Sequence, residues 1–131
     1  MRANKEYELC KAVSTYLKLQ YPNVLFHFDL AGLNLSMAQA GMNKAIQKQK
    51  GFPDLFIMEV RNNFPEPDYY NGLFIELKAE GTKLYKRDGD FVSEHLFDQW
   101  LFMDKLSGKG YKCSFGIGFD ECKMIIDNYL K

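Results

Sequence analysis

The apolar positions of this chain fall into short stretches whose periods differ. From about Asn4 to Gln20, Leu9, Val13, Tyr16 and Leu17 recur on one helical face, and Pro22 ends the pattern. Val24-Leu25-Phe26-His27-Phe28 is a short apolar and aromatic run of strand character. Asp54–Val60, Leu73–Lys78 and Tyr111–Phe119 predict three further strands. The segment NNFPEPDYYNG between the first two of these is turn chemistry, so those two strands are expected to form a hairpin. Ser93 is placed to cap a helix that runs to about Ser107 and stops at Gly108 and Gly110. Asp120 is expected to cap a last helix with Met124, Ile125 and Tyr129 facing inward. The predicted order is α-β-β-β-α-β-α, an α/β or α+β sandwich around one sheet. One stretch stands apart. From about Ala31 to Lys50 the chain carries Gly32, Gly41, several amides, and Lys44, Lys48 and Lys50 with no acid among them. A mobile loop or a loop holding a short helix would account for it, and so long a connection is often functional.

Composition narrows the class. At 131 residues the chain fits a single domain spanning 1–131. It carries 17 Lys and Arg against 17 Asp and Glu, so no global charge pulls it toward nucleic acid; a basic surface would have to be local. Cys10, Cys113 and Cys122 have no metal-ligand spacing and suit no closed disulfide framework. Buried thiols in a reducing compartment are expected. The charged start MRANKEYELCKAV is unlike a signal peptide, and no apolar run approaches membrane-spanning length. A cytoplasmic protein is the expectation.

Charge in apolar surroundings marks the candidate chemistry. In Leu73-Phe74-Ile75-Glu76-Leu77-Lys78, strand alternation puts Leu73, Ile75 and Leu77 on one face and Phe74, Glu76 and Lys78 on the other. A solvated strand face with a surface ion pair is one reading. Gly51-Phe52-Pro53-Asp54 opens the preceding strand with a tight turn, where Asp54 could simply satisfy its own turn. If the two strands pair, Asp54 and Glu76 converge near one edge of the sheet. Two carboxylates at one point repel unless a cation lies between them, and hard oxygen ligands suit Mg2+ or Mn2+. Lys78 would then stand ready to orient a water or stabilise charge at a phosphate. Glu6 falls on the stripe of Leu9, Cys10, Val13 and Leu17, either as part of a fraying helix end or as a third carboxylate of the site. Gln99 shares the arc of Leu96, Trp100, Met103 and Leu106, where a buried amide needs partners.

The set Glu6-x-x-Leu9, GFPDL at 51–55, IELK at 75–78, and Gln99 followed by Leu106 and Gly110-Tyr111 resembles the VRR-NUC family of the PD-(D/E)xK nuclease superfamily. The resemblance covers almost the whole chain in the right order. It implies a restriction-endonuclease-like α-β-β-β-α-β core with a central mixed sheet flanked by helices. It also implies a metal-dependent endonuclease. Asp54, Glu76 and the Leu77 carbonyl would hold Mg2+ or Mn2+, Glu6 would complete the acidic cluster, Lys78 would be the catalytic lysine, and Gln99 would support the site. Stand-alone, phage-type members act on branched DNA such as four-way junctions as homodimers. Phe64, Tyr69 and Tyr70 are candidate interface aromatics, and Lys48, Lys50, Lys83 and Lys86 are candidate DNA contacts. The stretch TKLYKRDGDF would be a phosphate-contacting flap. His95, one turn before Gln99, is either an ordinary exposed histidine or a member of the substrate side. Cys10 stands where the family often carries Gln. Action on linear, flap or RNA substrates, a DNA-binding module that kept the fold, and a scaffold without chemistry remain open alternatives.

Overall fold

A computed structural model describes residues 2–29, 36–62 and 69–131. Helix α1 covers Arg2–Gln20 and strand β1 covers Phe26–Phe28. Helix α2 follows at Met37–Ile46, then β2 at Leu55–Ile57. A two-residue ribbon pairs β3, Arg61–Asn62, with β4, Tyr69–Tyr70. Strand β5 spans Leu73–Lys78, α3 spans Glu94–Ser107, β6 spans Lys112–Ile117 and α4 spans Phe119–Leu130.

The main sheet runs β1-β2-β5-β6. β1 and β5 are both antiparallel to β2, while β5 and β6 are parallel. A parallel neighbour needs a crossover, and α3 supplies it. The sheet is therefore mixed and flanked by helices, as expected. One face carries Leu55, Ile57, Leu73, Ile75 and Leu77, packed with Leu9, Val13 and Leu17 of α1 and Cys122, Ile126 and Tyr129 of α4. Asp127 ties these two helices together: Tyr16 and Tyr21 each donate their hydroxyl to its Oδ1 at 2.6 Å. The other face carries an aromatic layer. Phe56 stacks on Phe74 at 4.3 Å, and Phe52 packs edgewise on Phe74 and on Phe102 of α3.

Met37–Ile46 form a short capped helix, one of the two readings open for this stretch: Ser36 and Gln39 hydrogen-bond each other's backbone N–H groups. Other elements depart from expectation. Part of the expected turn segment is the β3–β4 ribbon, which lengthens the hairpin between β2 and β5. Tyr70 packs against the core and Tyr69 is exposed, so only Tyr69 keeps the surface position expected of both; Phe64 lies outside the described residues. Gly118, not Asp120, caps α4, at a φ of 82° that no side chain adopts easily. The buried face of α4 carries Cys122, Ile126 and Tyr129, Ile125 packs partly against the core, and Met124 is exposed. Trp100 is likewise part-exposed, whereas Leu96, Gln99 and Met103 of the same helix are buried. Among the described residues, no helix is long and apolar enough to cross a membrane.

Candidate active site

The site forms where β2 begins and β5 ends. Leu55 pairs with Ile75, so one further step along the antiparallel register sets Asp54 opposite Glu76. These are the two central strands, so the acids meet in mid-sheet rather than at its edge, as the sequence had suggested. Gly51 makes the approach possible. Its φ is 97°, and a Cβ there would lie 2.8 Å from the Asp98 carbonyl oxygen of α3. The GFPD turn therefore lies directly against the α3 backbone that carries Gln99, and Pro53 is fully buried beneath it.

Glu76 and Lys78 are 3% and 4% exposed, which excludes the solvated strand face. The Asp54 Oδ2 accepts the Leu77 backbone N–H at 2.9 Å. Asp54 and Glu76 face each other across the β2–β5 register, and their carboxyls interact electrostatically. Burial raises the Asp54 pKa to about 6, with the Leu77 N–H and Lys78 opposing. Burial, and then the Asp54 charge, push Glu76 well above the carboxylate range, with Lys78 again opposing. Lys78 Nζ lies 4.0 Å from Glu76 Oε1. On the α3 side, Gln99 Nε2 donates to Glu76 Oε1 at 2.5 Å and lies 3.1 Å from His95 Nε2.

Glu6 belongs to the same neighbourhood. Its charge helps raise the pKa of Asp54, and burial together with Asp54, Glu6 and Glu76 raises the Cys10 thiol to about 12. Cys10 is thus a neutral thiol beside the acids, where the family resemblance implied an amide. The buried oxygens Glu6 Oε2, Glu76 Oε2 and Gln99 Oε1 have no hydrogen-bond partner.

A cavity of about 510 Å3 opens onto this centre. Asp54, Glu76, Gln99 and His95 line its floor side, and Asn43, Lys44, Gln47, Lys48 and Lys50 line it from α2 and the segment after it. Lys48 and Lys50 are therefore brought to the acids, although Lys50 also pairs with Asp98 at 3.3 Å. Lys83 and Lys86 are not brought there. They are exposed on a separate hairpin held by the Tyr85–Phe91 bridge, whose Phe91 packs on Phe97 and Trp100 of α3. Asp29 and Lys44, which were not among the expected site residues, also line the cavity. A lysine run without acid was the visible signal for Lys44; Asp29 carried none.

This is the arrangement of a two-carboxylate centre. The fold containing it is VRR-NUC-like. A solved structure described as "VRR_NUC domain protein" superposes with a TM-score of 0.62 over 96% of this chain and 88% of that one, at 21% identity. No protein-family model matches the chain, and no curated protein does.

A divalent cation fits the donors. Among the described residues, no three His, Cys, Asp or Glu side chains are gathered closely enough to enclose an ion. Mg2+ does not need such a cage, because one or two carboxylates suffice when water and phosphate complete the shell. The unpartnered Glu76 Oε2 and Glu6 Oε2, and the repulsion between the Asp54 and Glu76 charges, are what a cation would satisfy.

The raised carboxyl pKa values have a stability consequence of definite sign. The folded state holds protons that the unfolded chain releases near pH 4, so stability is lost as pH rises from about 4 through about 6. Asp54→Asn removes this burden while keeping an acceptor for the Leu77 N–H. At pH 8 without divalent cations the variant should be more stable than wild type, on the order of 2 kcal/mol, with the gap closing toward pH 4. Urea unfolding across this range measures it, and a variant less stable than wild type at pH 8 would contradict the assignment.

Proposed function

We propose that this protein is a divalent-cation-dependent nuclease that hydrolyses DNA phosphodiester bonds at Asp54, Glu76 and Lys78. The observation that carries the proposal is the buried acid pair, opposed in the β2–β5 register, with the Lys78 ammonium 4.0 Å from Glu76 and a lysine-edged cavity open to both. The likeness of the fold to a VRR_NUC domain protein supports it. A module that only bound DNA would gain nothing from two acids facing phosphate.

Asp54 and Glu76 would hold Mg2+ or Mn2+. The Leu77 N–H bonds to Asp54, and a strand residue's carbonyl leaves on the same edge as its N–H, so that carbonyl is a third donor. Glu6 would complete the acidic side. Bound there, the cation would supply positive charge to the phosphate and acidify water. Lys78 contributes a cation with three N–H donors, held against Glu76 by burial, to orient the attacking water and the phosphoryl oxygens. Gln99 holds Glu76 through Oε1 and leaves Oε2 open. Lys44, Lys48 and Lys50 offer the DNA backbone a local basic wall on a chain of zero net charge. The motif resemblance to stand-alone VRR-NUC nucleases extends the proposal to branched DNA, cut by a homodimer whose two sites address two strands.

Cleavage of four-way junction, flap, duplex, single-stranded and RNA substrates in Mn2+ tests this. Glu76→Ala and Lys78→Ala should each lose about a hundred-fold or more in rate. Equal activity in wild type and both variants would refute the nuclease reading. Junctions cut no faster than duplex would remove the branched-DNA part alone. A Lys44→Ala, Lys48→Ala double variant should reduce the log–log salt slope of DNA binding by about 2, close to one for each phosphate no longer neutralised. An unchanged slope would place the DNA elsewhere.

A further inference from the structure

We infer that His95 is a positioning residue for the carboxylate centre: it fixes the orientation of the Gln99 amide, and through that amide the Glu76 carboxyl. The inference rests on the metal-dependent reading of the site. Gln99 Nε2 has two hydrogens and two neighbours, Glu76 Oε1 at 2.5 Å and His95 Nε2 at 3.1 Å. Both hydrogen bonds are made at once if the imidazole is neutral and accepts at Nε2. The surroundings favour the neutral ring. Burial and the Lys78 charge lower its pKa, Lys50 adds to this, and Asp98 and Glu6 oppose. With Glu76 ionised and the imidazole accepting at Nε2, reversing the amide would turn its oxygen toward a carboxylate and toward an imidazole lone pair, and both encounters are repulsive. One helical turn separates His95 from Gln99, so α3 itself holds the pair in reach.

The consequence falls on Glu76. Its Oε1 is held by Gln99, and its unpartnered Oε2 is the oxygen left for a cation. The Gln99 Oε1 is likewise turned away from Glu76 and remains a buried acceptor without a partner. Without His95 the amide keeps one anchor instead of two and is free to turn, and Glu76 loses its fixed presentation. His95 itself is exposed at the cavity wall, so replacing it changes little of the core.

The full chain labelled with 15N, compared as wild type, His95→Leu and His95→Gln, tests this through the Gln99 side-chain amide signals, Mg2+ affinity by calorimetry and the melting temperature. In wild type both Gln99 amide protons should be shifted and slow to exchange. His95→Leu should release one of them and weaken Mg2+ binding about tenfold or more, the range for removal of a group that orients a ligand, with the melting temperature unchanged. His95→Gln, whose Oε1 reaches the same point, should restore both. Unchanged Gln99 signals and Mg2+ affinity in His95→Leu would overturn the inference, as would failure of His95→Gln to recover them. If wild type binds no Mg2+, the proposed function falls, and the Gln99 signals alone then decide whether His95 holds the amide.

Discussion

Two buried carboxylates that face each other repel unless a positive charge or a proton offsets them, and the opposition of Asp54 and Glu76 sets the terms for the residues around it. Burial makes the ionised pair costly, as the raised pKa values record. Lys78, the Leu77 N–H and the Gln99 amide each offset part of that cost. None removes it, because Glu76 Oε2 and Glu6 Oε2 remain without partners. The proposed cation would fill that deficit in use.

The architecture delivers this pair with few degrees of freedom. The β2–β5 register puts Asp54 opposite Glu76, and the parallel crossover through α3 brings Gln99 over the same strand. Gly51 lets the turn before Asp54 touch the α3 backbone, so the two halves of the site are fixed against each other by main chain. On the open side, α2 presents Asn43 and Lys44 to the cavity while Met37, Met42 and Ile46 face solvent. Its polar face is therefore turned toward the acids, the reverse of a helix recruited to a core.

Much of this was legible in the sequence because it follows from short-range rules. Alternation along LFIELK separated Leu73, Ile75 and Leu77 from Phe74, Glu76 and Lys78, and the structure packs the two sets on opposite faces. The Ser93 cap and the interior position of Gln99 followed from helical spacing. What was not legible depended on tertiary context. α4 starts after Gly118, whose Cβ would crowd Glu80, rather than at Asp120, and packing on the core buries Cys122 and Ile126 where the spacing had favoured Met124. The α2 helix has no buried residue and thus no apolar stripe directed at a core; only its capping box announces it. His95 looked like an exposed histidine because its partner is an amide one turn away, and that amide has a role only through Glu76 across the sheet. Lys83 and Lys86 resembled Lys48 and Lys50 in sequence, but Phe91 anchors their hairpin on Phe97 and Trp100, on another face of α3 from His95 and Gln99.

The central claim is that the Asp54–Glu76 pair is a cation site. A crystal soaked in Mn2+ and measured at the manganese absorption edge tests it most directly. The account predicts an anomalous peak within about 2.1–2.2 Å of oxygens from both carboxyls. A well-ordered site with no peak there, or a peak bound elsewhere, would contradict it.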